Sequence, residues 1–155
     1  MTYDRINCHG AMVEVFDFAH RIWPFDLPLE KWPSFCGAGN GLGDRLVPEK
    51  AHGVCLSPAC FQHDLDYAIS PRVWAAFCAA NYRFLRNSIS LALAQSTTDK
   101  QLILSVLGSI RYFSAVSIFG WLNFQPTFAG GDPLDNIEVR ERIKKLTDAE
   151  IKGAR

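Results

Sequence analysis

Three helix-start signals punctuate the middle of the chain, and they restrict its fold more than any other feature. Ser57–Pro58 sets a capping side chain before a proline suited to a first turn. Ser70–Pro71 repeats the device, and Thr98-x-x-Gln101 has the form of a capping box. Together they predict helices over about 58–69, 72–96 and 99–123. A more polar helix is expected over 135–152, with charge pairs such as Glu141–Lys145. Upstream, Met12, Val13, Val15, Phe16, Phe18 and Ile22 read as a short helix over 11–22. Pro24, Pro28 and Pro33 then break the chain into an irregular segment. Strand signals are scarce. The expectation is an all-α protein, a single domain over 1–155, whose long helices lie antiparallel to their neighbours.

The 155 residues are enough for one domain with a core. Sixteen basic side chains balance sixteen acidic ones, so no nucleic-acid-binding face is implied, although RERIKK (140–145) is a local basic stretch. Five cysteines, at 8, 36, 55, 60 and 78, leave at least one without a partner in the chain. The lack of a Cys-x-x-Cys pair speaks against a thioredoxin-type site. The N-terminal residues show no basic start followed by an apolar block, so no signal peptide is expected. Export by another route is favoured over a cytoplasmic location.

The chemistry concentrates in CFQHDLDY (60–67). At ~100° per residue, Cys60, His63, Asp64 and Tyr67 fall within an arc of about 100°, and Asp66 lies outside it. A shared face can point at the next helix, where AANYRF (79–84) offers Asn81, and at the glycine-bearing loop SFCGAGNGLGDRLVP (34–48). A histidine serves as a base when its second nitrogen is held by an acceptor, and Asn81, braced by Tyr67, can be that acceptor. A lone aspartate is a poor calcium site, since calcium takes six to eight oxygens, but loop carbonyls can supply the others. These are the parts of a calcium-dependent ester hydrolase. A tetrahedral zinc site from Cys36, Cys55, Cys60 and His63 is a competing use of the same residues, though it leaves Asp64 unexplained. Cys8 reads as a free buried thiol, and Cys55 and Cys78 could pair if their helices bring them close.

The combination of FCGAGNG, ACFQHDLDY and ANYRF resembles the secreted phospholipase A2 superfamily. The GAGNGLG portion is also similar to the loop of parvovirus capsid phospholipase domains. The similarity covers residues 34–86, about a third of the chain. It implies a helical domain with two antiparallel central helices and a calcium loop, cleaving the sn-2 ester of glycerophospholipids at a membrane surface. By the same resemblance His63 is the general base and Asp64 a calcium ligand. The carbonyls of Phe35, Gly37 and Gly39 complete the protein ligands, and the Gly37 amide steadies the oxyanion. Tyr67 is the bracing phenol, and Cys36–Cys60 is the disulfide that tethers the loop. The chain departs from the pattern at Asn81, where the family carries aspartate. The alternative that follows is a catalytically weakened or inactive phospholipase-like module that binds lipid or a protein.

Residues 102–124 form an apolar run long enough to span a bilayer, interrupted by Arg111 and four serines. The first expectation for this helix (99–124) is a core position. A membrane-docking surface comes second, and a transmembrane helix third.

Overall fold

The computed structural model describes residues 2–32, 36, 50–71, 73–122, 124, 140–141, 143–145 and 148. β1 (Tyr3–Cys8) and β2 (Ala11–Phe16) pair antiparallel, in register from Tyr3↔Phe16 to Cys8↔Ala11. β3 (Lys50–Ala51) and β4 (Val54–Cys55) form a second, minimal hairpin. Three long helices follow: α1 (Ser57–Ile69), α2 (Trp74–Gln95) and α3 (Asp99–Phe119). The fold is therefore mixed, which corrects the all-α expectation.

The helix expected over 11–22 is replaced by β2 and a 3-10 turn at Ala19–Arg21. Ala11, Val13 and Val15 are buried while Met12 is exposed, a period of two that suits a strand. A second signal precedes it. His9 and Gly10 both hold positive φ, 52° and 85°, in a two-residue connection of the type that matches strand twist. His52 and Gly53 repeat it at 54° and 90° in the second hairpin. Each His-Gly dipeptide is thus a hairpin turn, with glycine where a side chain would be strained.

The three helices lie within a few residues of their expected bounds. Thr98 accepts a hydrogen bond from the Gln101 amide at 3.2 Å, as a capping box requires. The reciprocal bond runs from the Thr97 amide to Gln101 Oε1, one residue earlier than the usual pattern. Ser57 does not cap α1. It lies inside the helix, and Leu56 occupies the cap position. Of the expected terminal helix, Arg140, Glu141, Ile143, Lys144, Lys145 and Asp148 are described, all helical, with Ile143 buried in the main core.

α1 is the central element, with nearly every residue buried. On one side it meets an aromatic group in which Phe61 contacts Trp23, Phe25 and Trp32 at ring separations of 5.9, 5.9 and 6.5 Å. On the other it packs antiparallel to α2, so that His63 meets Phe84 and Tyr67 meets Phe77. Fully buried Phe16, Phe18, Phe61 and Phe77 each stabilise the fold by about 1.5–3 kcal/mol through burial.

Polar side chains tie the N-terminal hairpin to this pair. Asn87 of α2 accepts from the Glu14 amide and donates to the Glu14 carbonyl, both at 2.8 Å. Gln62 of α1 accepts from the Phe16 amide at 2.9 Å. Gln95 pairs in the same two-way fashion with the backbone of Cys55, at 2.8 and 3.0 Å. Helix amides thus occupy strand positions that another strand would otherwise pair.

Candidate active site

His63 and Asp64 are adjacent on α1, and the helix turns them to different tasks. His63 is buried, its ring 4.1 Å from that of Tyr67 and 5.0 Å from that of Phe84. Its Nε2 lies 2.9 Å from Asn81 Oδ1 on α2. The Tyr67 hydroxyl donates to the same oxygen at 2.8 Å. The i,i+4 spacing of His63 and Tyr67 on one helix, set against Asn81 on its antiparallel neighbour, produces this convergence.

The bonds fix a proton's position. Burial pushes the Tyr67 phenol well above its ordinary pKa, against the opposing effect of the Asn81 hydrogen bond. The phenol therefore stays protonated and donates. Asn81 must then present its oxygen, an acceptor only, to His63. Nε2 consequently carries the hydrogen and donates, which leaves the Nδ1 lone pair free. Asn81 Nδ2 is buried and has no hydrogen-bond partner among the described residues.

Nδ1 faces Asp64, whose Oδ1 is 3.9 Å away, too far for a direct hydrogen bond. Asp64 has no lysine or arginine partner among the described residues. Desolvation pushes its carboxyl pKa up, with His63 pulling the other way, yet a third of its side-chain surface is open. The two facts are compatible: protein atoms crowd the carboxylate on most sides and solvent reaches it from one. A carboxylate so placed gains from a cation, and a hard divalent ion with oxygen ligands fits its chemistry. Among the described residues no cluster of three His, Cys, Asp or Glu side chains surrounds it. A cation there would need further oxygen ligands, which backbone carbonyls can supply. The expected donors Phe35, Gly37 and Gly39, and the Gly37 amide, lie outside the described residues.

Cys36 and Cys60 form a disulfide with a Cα–Cα distance of 5.3 Å. It ties the start of the loop to α1 one turn before His63. Closing a 24-residue separation contributes about 3.5 kcal/mol in the chain-entropy account. The bond also consumes two of the four donors of the zinc alternative. Cys8, Cys55 and Cys78 are free, the first two buried and the third exposed, so the Cys55–Cys78 pairing does not form. Burial, with Cys55 nearby, pushes the Cys8 thiol up to about 12, which keeps it protonated and unreactive.

No family model, curated protein or solved structure matches the chain.

Two participants were not expected. Asp66 is an anchor. Arg83 Nη1 donates to both its oxygens at 2.7 and 2.8 Å, the Tyr3 hydroxyl donates at 3.0 Å and Gln62 at 3.3 Å. Arg83 also reaches Glu14 Oε1 through Nε at 3.1 Å and stacks 3.5 Å above the Tyr3 ring. The second unexpected residue is Gly120, just past α3. A Cβ there would collide with the Tyr67 phenol oxygen and lie 3.1–3.2 Å from two ring carbons. That ring is hemmed in by His63, Phe77 and Phe124 and cannot swing aside. Gly120→Ala is expected to push Tyr67 off Asn81 and slow any reaction that depends on His63 by about 10–100-fold. Initial rates on protein shown to be folded by circular dichroism test this, and an unchanged rate would remove Tyr67 from the site.

Proposed function

We propose that this protein is a calcium-dependent phospholipase A2 that hydrolyses the sn-2 ester of glycerophospholipids. The observation that carries the reading is the chain of hydrogen bonds from Tyr67 through Asn81 to His63, beside an Asp64 that has no lysine or arginine partner among the described residues. Tyr67 orients Asn81, Asn81 fixes the imidazole tautomer, and the free Nδ1 is the base.

In the proposed reaction His63 Nδ1 takes a proton from water as the water oxygen bonds to the ester carbonyl carbon. Asn81 Oδ1 holds the resulting imidazolium by its Nε2–H. The bond from the acyl carbon to the glycerol oxygen then breaks, and His63 returns the proton to that leaving oxygen. The products are a fatty acid and a lysophospholipid. Asp64, with the carbonyls of Phe35, Gly37 and Gly39, would hold calcium, which when bound polarises the ester carbonyl. The Gly37 amide would add a hydrogen bond to the oxyanion. The Cys36–Cys60 bond fixes Cys36, next to Phe35 and Gly37 in sequence, to the helix that carries Asp64.

Purified protein is expected to release fatty acid from phosphatidylcholine–phosphatidylglycerol vesicles in calcium and to stop when EGTA is added. Mass spectrometry of the lysophospholipid locates the ester cut. Release at the same rate in EGTA would end the calcium reading.

A further inference from the structure

α3 is built inside out for a soluble domain. Within the run from Asp99 to Leu122, an 18-residue window has a mean hydropathy of 1.7, long and apolar enough to cross a membrane, yet only 17% of that window is buried. Most of this helix is therefore not in the core position expected for 99–124, although Tyr112 joins the main core. α3 turns inward Ser105, Ser109 and Tyr112, with Leu102, Val106 and Val116 half-buried against the core. Ser105 donates to the Ala51 carbonyl at 2.9 Å, Ser109 donates to the Ser105 carbonyl at 2.9 Å, and a Cβ at Gly108 would lie 3.2 Å from Ala51. What it turns outward is Ile103, Leu107, Ile110, Ile118 and Leu122, the last 81% exposed. Ser114 lies on the same outer stripe and donates its hydroxyl to the Ile110 carbonyl at 2.9 Å, so it presents no unspent donor there.

The stripe continues to the candidate site. Phe119 is exposed, and Trp121 beyond it packs against Trp74 at 5.5 Å, itself 62% exposed. Both tryptophans surround the cluster of Phe77, Phe124 and Tyr67. Gly120, between Phe119 and Trp121, touches Tyr67. The apolar outer surface and the His63 relay therefore share one end of the molecule.

We propose that this outer face of α3 lies in the surface of a phospholipid bilayer, with Phe119, Leu122 and Trp74 seated at the interface beside the candidate site. Helix-parallel insertion suits the geometry, because the opposite face is occupied by α2 and the β3–β4 hairpin and is not free to meet lipid. Arg111 decides between lipid and a second copy of the chain. It is exposed at mid-helix and is the only charge between residues 102 and 122. In a two-fold contact of α3 with α3, two Arg111 side chains approach each other inside an apolar seam, at a cost. On a bilayer the same side chain extends its stem along the surface and reaches lipid phosphate. The choice of lipid rests in part on the phospholipase reading, while the apolar stripe does not depend on it.

The test uses vesicles of ether-linked phosphatidylcholine and phosphatidylglycerol, which no esterase can cut, with EGTA present. The full chain is expected to co-sediment with them. Leu107→Glu with Ile118→Glu, both at exposed positions, is expected to weaken that binding at least about tenfold while leaving the circular dichroism spectrum unchanged. His63→Gln is expected to bind as the unaltered chain does, so that docking and hydrolysis fail separately. Equal vesicle binding by the double glutamate variant would overturn the proposal. So would a chain that ignores vesicles and sediments as a dimer that the same variant dissociates. Resistance of vesicle-bound protein to alkaline carbonate extraction would overturn it in favour of a spanning helix.

Discussion

His63→Gln is expected to lower calcium-dependent fatty-acid release by about 10²–10⁴-fold, the usual contribution of a positioned base. Glutamine keeps the side chain's size and its hydrogen bond to Asn81 but has no lone pair of useful basicity where Nδ1 stood. Folding is therefore expected to survive and the rate to collapse. Asn81→Asp supplies the opposing measurement. Asn81 Oδ1 accepts from both His63 and Tyr67, and both bonds are open to a carboxylate in the same place. The change puts a carboxylate oxygen where Nδ2 lacks a partner among the described residues, and it sets a negative charge against the imidazolium that forms during the reaction. A rate at least about tenfold higher is expected. Silence in both the unaltered chain and Asn81→Asp, with vesicle binding intact, would instead identify a lipid-binding module that keeps the hydrolase frame.

The largest effect on stability is expected at Arg83. Arg83→Met leaves Asp66 buried, with its charge facing only the Tyr3 hydroxyl and the Gln62 amide. Removing one partner of such a pair costs about 3–5 kcal/mol, enough to unfold a marginal domain. Urea titration followed by circular dichroism measures the loss. Adding Asp66→Asn to Arg83→Met removes the orphaned charge and is expected to recover a good part of the stability. That recovery is the signature of direct coupling between the two. Additive losses would show that the contact contributes little and that Arg83 matters through its packing on Tyr3.

Much of the candidate site was legible because it is local. His63 and Tyr67 are one helical turn apart, and short joints force α1 and α2 antiparallel, which brings Asn81 opposite them. Asp66 was not legible. Its role depends on Tyr3, 63 residues away, and on Arg83, 17 residues away, so spacing on its own helix showed only that it faces elsewhere. Phe16 and Phe18 blur the strand alternation that Ala11, Val13 and Val15 carry cleanly, and the signal that β2 is a strand lies in the His9–Gly10 turn before it. For α3, hydropathy gave the helix but not its orientation. Composition cannot tell which face a helix turns inward, and here Ser105, Ser109 and Tyr112 go in while Ile103, Leu107 and Ile110 stay out. The calcium-loop residues Phe35, Gly37 and Gly39 lie outside the described residues, so their part stays with the resemblance.

The amides of Gln62, Asn87 and Gln95 have a consequence for solubility. A short hairpin normally offers its outer strand as a template on which a neighbouring molecule can extend the sheet. Here side chains borne by helices mimic the missing strand, so growth from the Glu14–Phe16 edge is blocked for as long as the helices stay docked. Resistance to self-association is thereby linked to tertiary integrity, and partial opening of α2 from β2 is the step that would start aggregation.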